Sequence, residues 1–210
     1  MTVQYPQKAV SLETDNGIFL IQSFCTPEQI DALQFETPPT DEGQYRPVVT
    51  KKTRLIQTAA QEDVNVTLAF RKTGEIVGLG ILEKPAPEDR WSRVGEGMME
   101  ISIIEVRRPW RRMGLARHIL HLTLDHPMIE SRICYMVGYS WTWDLDEHGG
   151  TVMDYRNTLI DLFSREGFKT FQTNESNVML RPENLFMARV GNAVPKESIE
   201  RFKLARFNLL

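Results

Sequence analysis

The spacing with the most chemistry in it follows a strongly apolar run. Met98-Met99-Glu100-Ile101-Ser102-Ile103-Ile104-Glu105-Val106 has the composition of a buried strand, and Arg107-Arg108-Pro109-Trp110-Arg111-Arg112-Met113-Gly114-Leu115-Ala116-Arg117 follows it directly. Pro109 breaks a strand ladder, and Gly114 and Ala116 stand where a helix would begin. The first N–H groups of a helix lack partners within it, and the positive end of the macrodipole lies behind them. Small residues let a ligand approach that backbone. Guanidinium groups stay charged and match phosphate geometry. The implied chemistry is capture of a pyrophosphate at a strand–loop–helix junction. The arginines alone would equally suit a solvated patch or a contact with nucleic-acid phosphate. A formal net charge of −3 argues against general nucleic-acid binding.

A second chemical feature lies inside the apolar run. Two-residue strand periodicity puts Glu100, Ser102, Ile104 and Val106 on one face and Ile103 and Glu105 on the other. A carboxylate in such a setting is costly unless partnered. A carboxylate whose proton affinity is raised by burial can take a proton from an ammonium group. Glu100 is therefore a candidate general base, and an ion pair with Arg90 or Arg93 is the alternative. Glu105 is expected to be structural or solvent-facing, and Glu96 is a weaker candidate base.

These residues need elements to hold them. Lys8–Thr14 and Ile18–Phe24 flank Asp15-Asn16-Gly17, a hairpin signal. Thr26-Pro27-Glu28-Gln29 opens a short helix to about Phe35, stopped by Thr37-Pro38-Pro39, and Pro47–Gln61 is expected to be a second helix. Val64–Arg71 and Glu75–Leu82 form another hairpin around Lys72-Thr73-Gly74, and Lys84–Gly97 is a loop. Met98–Val106 is a central strand, Leu115–Asp125 a helix and Ile133–Tyr139 a strand. Thr151 caps a helix to Glu166, with Gly167 at its C-terminal cap. Phe168–Thr173 and Leu185–Val190 are the last strands and Pro195–Phe207 the last helix. The class is α+β (mixed α/β), with antiparallel hairpins and one strand–helix–strand crossover. The 210 residues suit a single domain, 1–210, with an N-terminal part to about residue 62 and a C-terminal strand–helix from about 184.

Arg111-x-x-Gly114-x-Ala116, preceded by Val106-x-x-Pro109, resembles motif A of the GCN5-related N-acetyltransferases, the GNAT superfamily. The resemblance implies a mostly antiparallel sheet, splayed at the cofactor site and flanked by helices, with acetyl-CoA as cosubstrate. Arg111 would open the motif, and amides from Met113 through Gly114 and Leu115 to Ala116 would hold the CoA pyrophosphate. Ile104 to Val106 would pair with pantetheine, and Arg112 or Arg117 would reach the 3′-phosphate. Glu100 falls where histone-type members keep their general base. Leu162-Phe163-Ser164-Arg165-Glu166-Gly167-Phe168 matches a second GNAT element, but Phe163 stands where many members have a tyrosine that protonates the departing thiolate.

Further segments are similar to the acetoin-utilisation acetyltransferase (AcuA) family of Gram-positive bacteria. They include Arg90-Trp91-Ser92, Trp141-Thr142-Trp143-Asp144-Leu145, Phe186-Met187-Ala188-Arg189-Val190-Gly191 and Glu197-Ser198-Ile199-Glu200-Arg201-Phe202. This resemblance implies acetylation and inactivation of AMP-forming acetyl-CoA synthetase at a lysine. The first sixty residues match less clearly. Acetylation of a small amine and CoA sensing without catalysis are the rival readings. Trp141, Trp143 and Asp144 either close the core or form a rim that receives a basic protein segment. The four histidines have no metal spacing, so no metal is expected. Cys25 and Cys134 fit small buried residues of a reduced, cytoplasmic protein.

Overall fold

The computed structural model describes residues 5–35 and 51–210. Thr37-Pro38-Pro39 and the first residues of the second expected helix, 47–50, lie outside the described residues. The chain forms two compact units, Met1–Glu83 with Ser102–His126, and Lys84–Ile101 with Pro127–Leu210.

The first unit begins with the expected hairpin, β1 (Ala9–Thr14) and β2 (Gly17–Gln22), paired antiparallel. Gly17 has φ 113, the left-handed backbone that a tight turn at Asn-Gly needs. Helix α1 (Pro27–Ala32) starts with a capping box between Thr26 and Gln29 and ends three residues short of the expected Phe35. The chain there joins the sheet as β3 (Gln34–Phe35). Helix α2 (Lys52–Ala59) and the hairpin β4 (Asn65–Arg71) and β5 (Glu75–Glu83) follow.

Strand β6 (Met98–Val106) matches the expected bounds and passes from the second unit into the first. Helix α3 (Leu115–Leu124) then packs on β4 and β5. Two glycines of β5 set that packing. A Cβ on Gly78 would lie 2.8 Å from Ile119 Cδ1, and one on Gly80 would lie 2.8 Å from Ile119 Cγ2 and collide with the Thr123 hydroxyl. The glycines thus seat α3 close against the sheet, which fixes where its N-terminus emerges beside the end of β6.

The second unit contains β7 (Ile133–Gly138), α4 (Leu145–His148), α5 (Val152–Ser164), β8 (Lys169–Thr170), α6 (Ser176–Met179), β9 (Leu185–Val190) and α7 (Lys196–Ala205). Its core stacks Trp91 on Phe186 at 4.4 Å, with Tyr135 and Phe202 beside them. β6 and β7 run parallel, as a crossover through α3 requires, and β7 pairs antiparallel with β9. The hydrogen-bond order is β1-β2-β4-β5-β6-β7-β9-β8, with β3 beside β5, a nine-stranded and mostly antiparallel sheet. Further elements of this unit differ from expectation. The loop 84–97 holds a 3₁₀ turn at Arg90–Val94, the loop 141–150 holds α4, and the strand expected over 168–173 shrinks to Lys169–Thr170. There the Thr173 hydroxyl donates to the Arg206 carbonyl and accepts from the Glu175 amide, and the chain turns into α6.

Candidate active site

The loop after β6 turns directly into the N-terminus of α3. Trp110 anchors it to the first hairpins, edge-on to Phe19 at 5.5 Å and under the Arg71 guanidinium at 4.7 Å. Gly114 is the N-cap of α3, with φ 83 and ψ −2. That left-handed geometry costs an L-residue about 1–2 kcal/mol, so the structure demands glycine for conformation as well as for closeness. Among the described residues, a Cβ built at Gly114 meets nothing within 4 Å, so the position itself has room for a ligand. Gly114 also provides no side-chain cap, which leaves the first-turn amides available to an anion. Arg112 is a second left-handed residue, at φ 62, in the same loop. Strain of this kind in a non-glycine residue collects at ligand sites.

The arginines divide by placement. Arg111 folds back, its Nε donating to the Val106 carbonyl at 2.8 Å, so it braces the loop. Arg107 is buried, and its amide donates to the Val77 carbonyl on β5 at 2.9 Å. Arg112 and Arg117 are exposed at the helix start, where they suit a phosphate. The Arg107 amide bond also fixes the direction of its neighbours. Backbone groups alternate sides along a strand, so the N–H groups of Val106 and Ile104 point away from β5. Register pairs between β6 and β7 run only from Met98↔Ile133 to Glu100↔Tyr135, and β6 continues for six more residues. Ile104 and Val106 therefore direct amides to an edge of β6 where a ligand's own amides can pair.

Glu100 sits at the last of those pairs. Its side chain is partly buried, Ser102 is exposed and Ile104 partly buried, whereas Ile101, Ile103 and Glu105 are buried. The Glu100 face is thus the accessible one. The buried Tyr135 hydroxyl donates to Glu100 Oε2 at 3.1 Å and holds the carboxylate in place. Burial, then the charges of Glu100 and Asp89, push the Tyr135 hydroxyl far above its ordinary value, so it remains a donor. Of the alternative partners, Arg90 donates to Asn174 and Arg93 to Asn208 and the Leu210 carbonyl. Glu105 is buried, which corrects the solvent-facing alternative. Sequence reasoning missed Tyr135 as the partner of Glu100. Only the parallel register of β6 and β7 brings them together.

The aromatic loop separates into two parts. Trp141 is exposed and stacks on Tyr139 at 4.7 Å. Trp143 is partly buried and stacks on Tyr155 at 5.1 Å. Asp144 is buried, so it presents no carboxylate at a rim. Phe163 is packed edge-on to Phe168 in the core. Burial pushes the Cys25 and Cys134 thiols up to about 12, so neither forms a thiolate near neutral pH. Among the described residues no helix is long and apolar enough to cross a membrane.

The β6–loop–α3–β7 crossover, with its glycine-capped helix end and the mixed sheet around it, gives the class of the fold, GNAT-type. No family model matches the chain. It is 31% identical to the acetoin utilization protein AcuA of Bacillus licheniformis over 202 residues, 95% of this chain and 94% of the relative. Identity to AcuA of Bacillus subtilis is 28% over 200 residues, 95% of this chain and 93% of that protein. The crystal structure of an acetoin utilization protein from Exiguobacterium sibiricum has a TM-score of 0.87 at 24% identity, covering 97% of this chain and 95% of that one. The chain belongs to the AcuA family.

Proposed function

We propose that the protein, working as one acetyltransferase domain over residues 1–210, transfers the acetyl group of acetyl-CoA to a lysine of AMP-forming acetyl-CoA synthetase and thereby inactivates it. The observation that carries the acetyl-CoA part is Gly114. A left-handed helix start with no side-chain cap and room beside Gly114 suits a pyrophosphate, and exposed Arg112 and Arg117 suit a further phosphate. Ile104 and Val106 would pair with pantetheine amides. Glu100 lies six residues back along the same strand, about 20 Å at ~3.3 Å per residue, a length of the order of an extended pantetheine arm.

The reaction is direct transfer. A lysine ammonium, with pKa about 10.4, must lose its proton before it can attack. Glu100, held by Tyr135, takes that proton. The amine attacks the thioester carbonyl at the Glu100 end of the pantetheine arm, and its oxygen takes the negative charge of the tetrahedral intermediate. The tetrahedral intermediate expels CoA as a thiolate, which is protonated from water, because Phe163 has no hydroxyl to give. The high thiol pKa values argue against an acetyl-cysteine route.

The acceptor is tested by following CoA thiol release with three additions in parallel: purified acetyl-CoA synthetase, a small polyamine, and none. Release that depends on the synthetase supports the reading. Release with the polyamine alone makes the protein a small-amine acetyltransferase. Tight acetyl-CoA binding with no release on either acceptor makes it a CoA sensor.

A further inference from the structure

The first unit holds a cavity that the transfer chemistry does not use. It lies between the start of α1 and the end of α2, has a volume of about 340 Å³, and counts Tyr5, Phe24, Glu28, Gln61 and Asp63 among its lining residues. It sits at the far end of α3 from Gly114. The Phe24 amide donates to Asn65 Oδ1 at 2.7 Å, and the Asn65 Nδ2 donates to the carbonyls of Leu122 and Thr123, in the last turn of α3, at 2.9 Å each. Two residues in its wall have left-handed backbone, Phe24 at φ 49 and Asp63 at φ 60. For a bulky side chain such as phenylalanine this is an outlier, kept only where the surroundings hold it. The surroundings here do so. Gln7 Nε2 donates to the Phe24 carbonyl at 2.7 Å, and the Tyr5 hydroxyl donates to Asp63 Oδ1 at 2.6 Å. The Tyr5 ring also lies 5.1 Å from the Phe24 ring, so Tyr5 joins the carboxylate to an aromatic pair.

The lining selects a ligand by charge. Asp63 and Glu28 bring two carboxylates, and the described lining residues include no lysine, arginine or histidine. Ala59 and Ala60 add the C-terminal end of α2, where the helix dipole is negative. An anion would be repelled from every one of these groups. Aromatic faces attract cations, and carboxylates accept the N–H bonds of an ammonium group with the added strength of opposite charge. A cavity of this size, part aromatic and part polar, is within the range of small-molecule sites.

We propose that this cavity binds a small alkylammonium ligand, its charged head held by the Asp63 and Glu28 carboxylates and its carbon chain against Tyr5 and Phe24. The site stands apart from the acetyl-transfer reading above, since neither Glu100 nor Gly114 is among its lining residues. The test adds n-butylammonium, tetramethylammonium or uncharged n-butanol to the isotope-labelled protein at fixed ionic strength and follows the amide resonances. Wild type is compared with Asp63→Asn, Gln61→Glu and Glu100→Gln. Asparagine tolerates the left-handed backbone of position 63, and Gln61 is exposed, so a glutamate there adds charge without burial. The expected result is a saturable shift of the Phe24 and Asp63 amides with both ammonium ions and none with butanol. Asp63→Asn should weaken that binding about tenfold or more, Gln61→Glu should tighten it, and Glu100→Gln should leave it unchanged. No saturable shift at Phe24 and Asp63 in wild type overturns the site, as does an equal response to butanol. An affinity that Gln61→Glu leaves unaltered also overturns it, whether or not Asp63→Asn folds. Binding that Glu100→Gln abolishes assigns the amine to the acceptor site instead and overturns the proposal. None of these failures touches the acetyl-transfer reading, which is tested by CoA release.

Discussion

Gly114 and Gly149 make a matched pair. Gly114 has φ 83 and Gly149 has φ 70, and among the described residues a Cβ on either meets nothing within 4 Å. Alanine at either position therefore incurs the left-handed backbone cost alone, about 1–2 kcal/mol. Both variants are expected to unfold at similarly lower denaturant concentration. The ligand effect separates them. Glutamate at Gly114 puts a carboxylate in front of the α3 N-terminus, where a CoA pyrophosphate would lie. Two unit charges 4 Å apart repel by about 1 kcal/mol in bulk water and about 4 kcal/mol at an effective dielectric near 20. The site is exposed, so the lower part of that range applies per charge pair. With more than one phosphate charge opposed, and at 1.4 kcal/mol per tenfold, Gly114→Glu should weaken acetyl-CoA binding at least tenfold. Gly149→Glu should leave it unchanged. Calorimetric titration of acetyl-CoA into both folded variants is the assay. Equal affinities would refute the assignment of the phosphate site to this helix end.

Glu100→Gln keeps size and polarity but cannot accept the proton, and should slow synthetase acetylation by ~10²–10⁴-fold with acetyl-CoA affinity retained. The deficit should shrink as pH rises toward the lysine pKa, which a rate profile against pH would detect. Tyr135→Phe removes the 3.1 Å donor to Glu100. Hydrogen bonds to charged groups contribute about 1.5–3 kcal/mol, so kcat should fall about tenfold or more while KM for acetyl-CoA stays put; an unchanged kcat would take Tyr135 out of the mechanism. Cys25 and Cys134 have thiols raised to about 12 by burial, so both stay protonated below that pH. The folded protein should resist iodoacetamide at pH 8 without loss of activity, and rapid labelling with inactivation would reopen a cysteine route.

Most elements were legible because their patterns are local. The apolar runs of β6 and β9, the Asn-Gly hairpin and the Thr151 cap each announce themselves within a few residues. The strand–loop–helix junction at Gly114 was legible for the same reason, since Gly114 follows a strand and precedes a helix. What escaped depends on distant partners. Tyr135 meets Glu100 only through strand register, 35 residues apart in the chain. The role of Gly78 and Gly80 appears only once Ile119 and Thr123 lie over them. The Arg111 Nε bond to the Val106 carbonyl appears only once the loop has folded back on the strand end. Asp144 looked like part of an acidic rim, but the fold of loop 141–150 buries it. Charge in a sequence marks where a group is, not which way it turns.

The most direct test of the account is site-resolved mass spectrometry of acetyl-CoA synthetase incubated with acetyl-CoA and this protein. Acetyl is expected on a synthetase lysine, formed with wild type and at least a hundredfold more slowly with Glu100→Gln, in step with loss of synthetase activity. A synthetase that stays unmodified and active while acetyl-CoA binds the wild-type protein would contradict it.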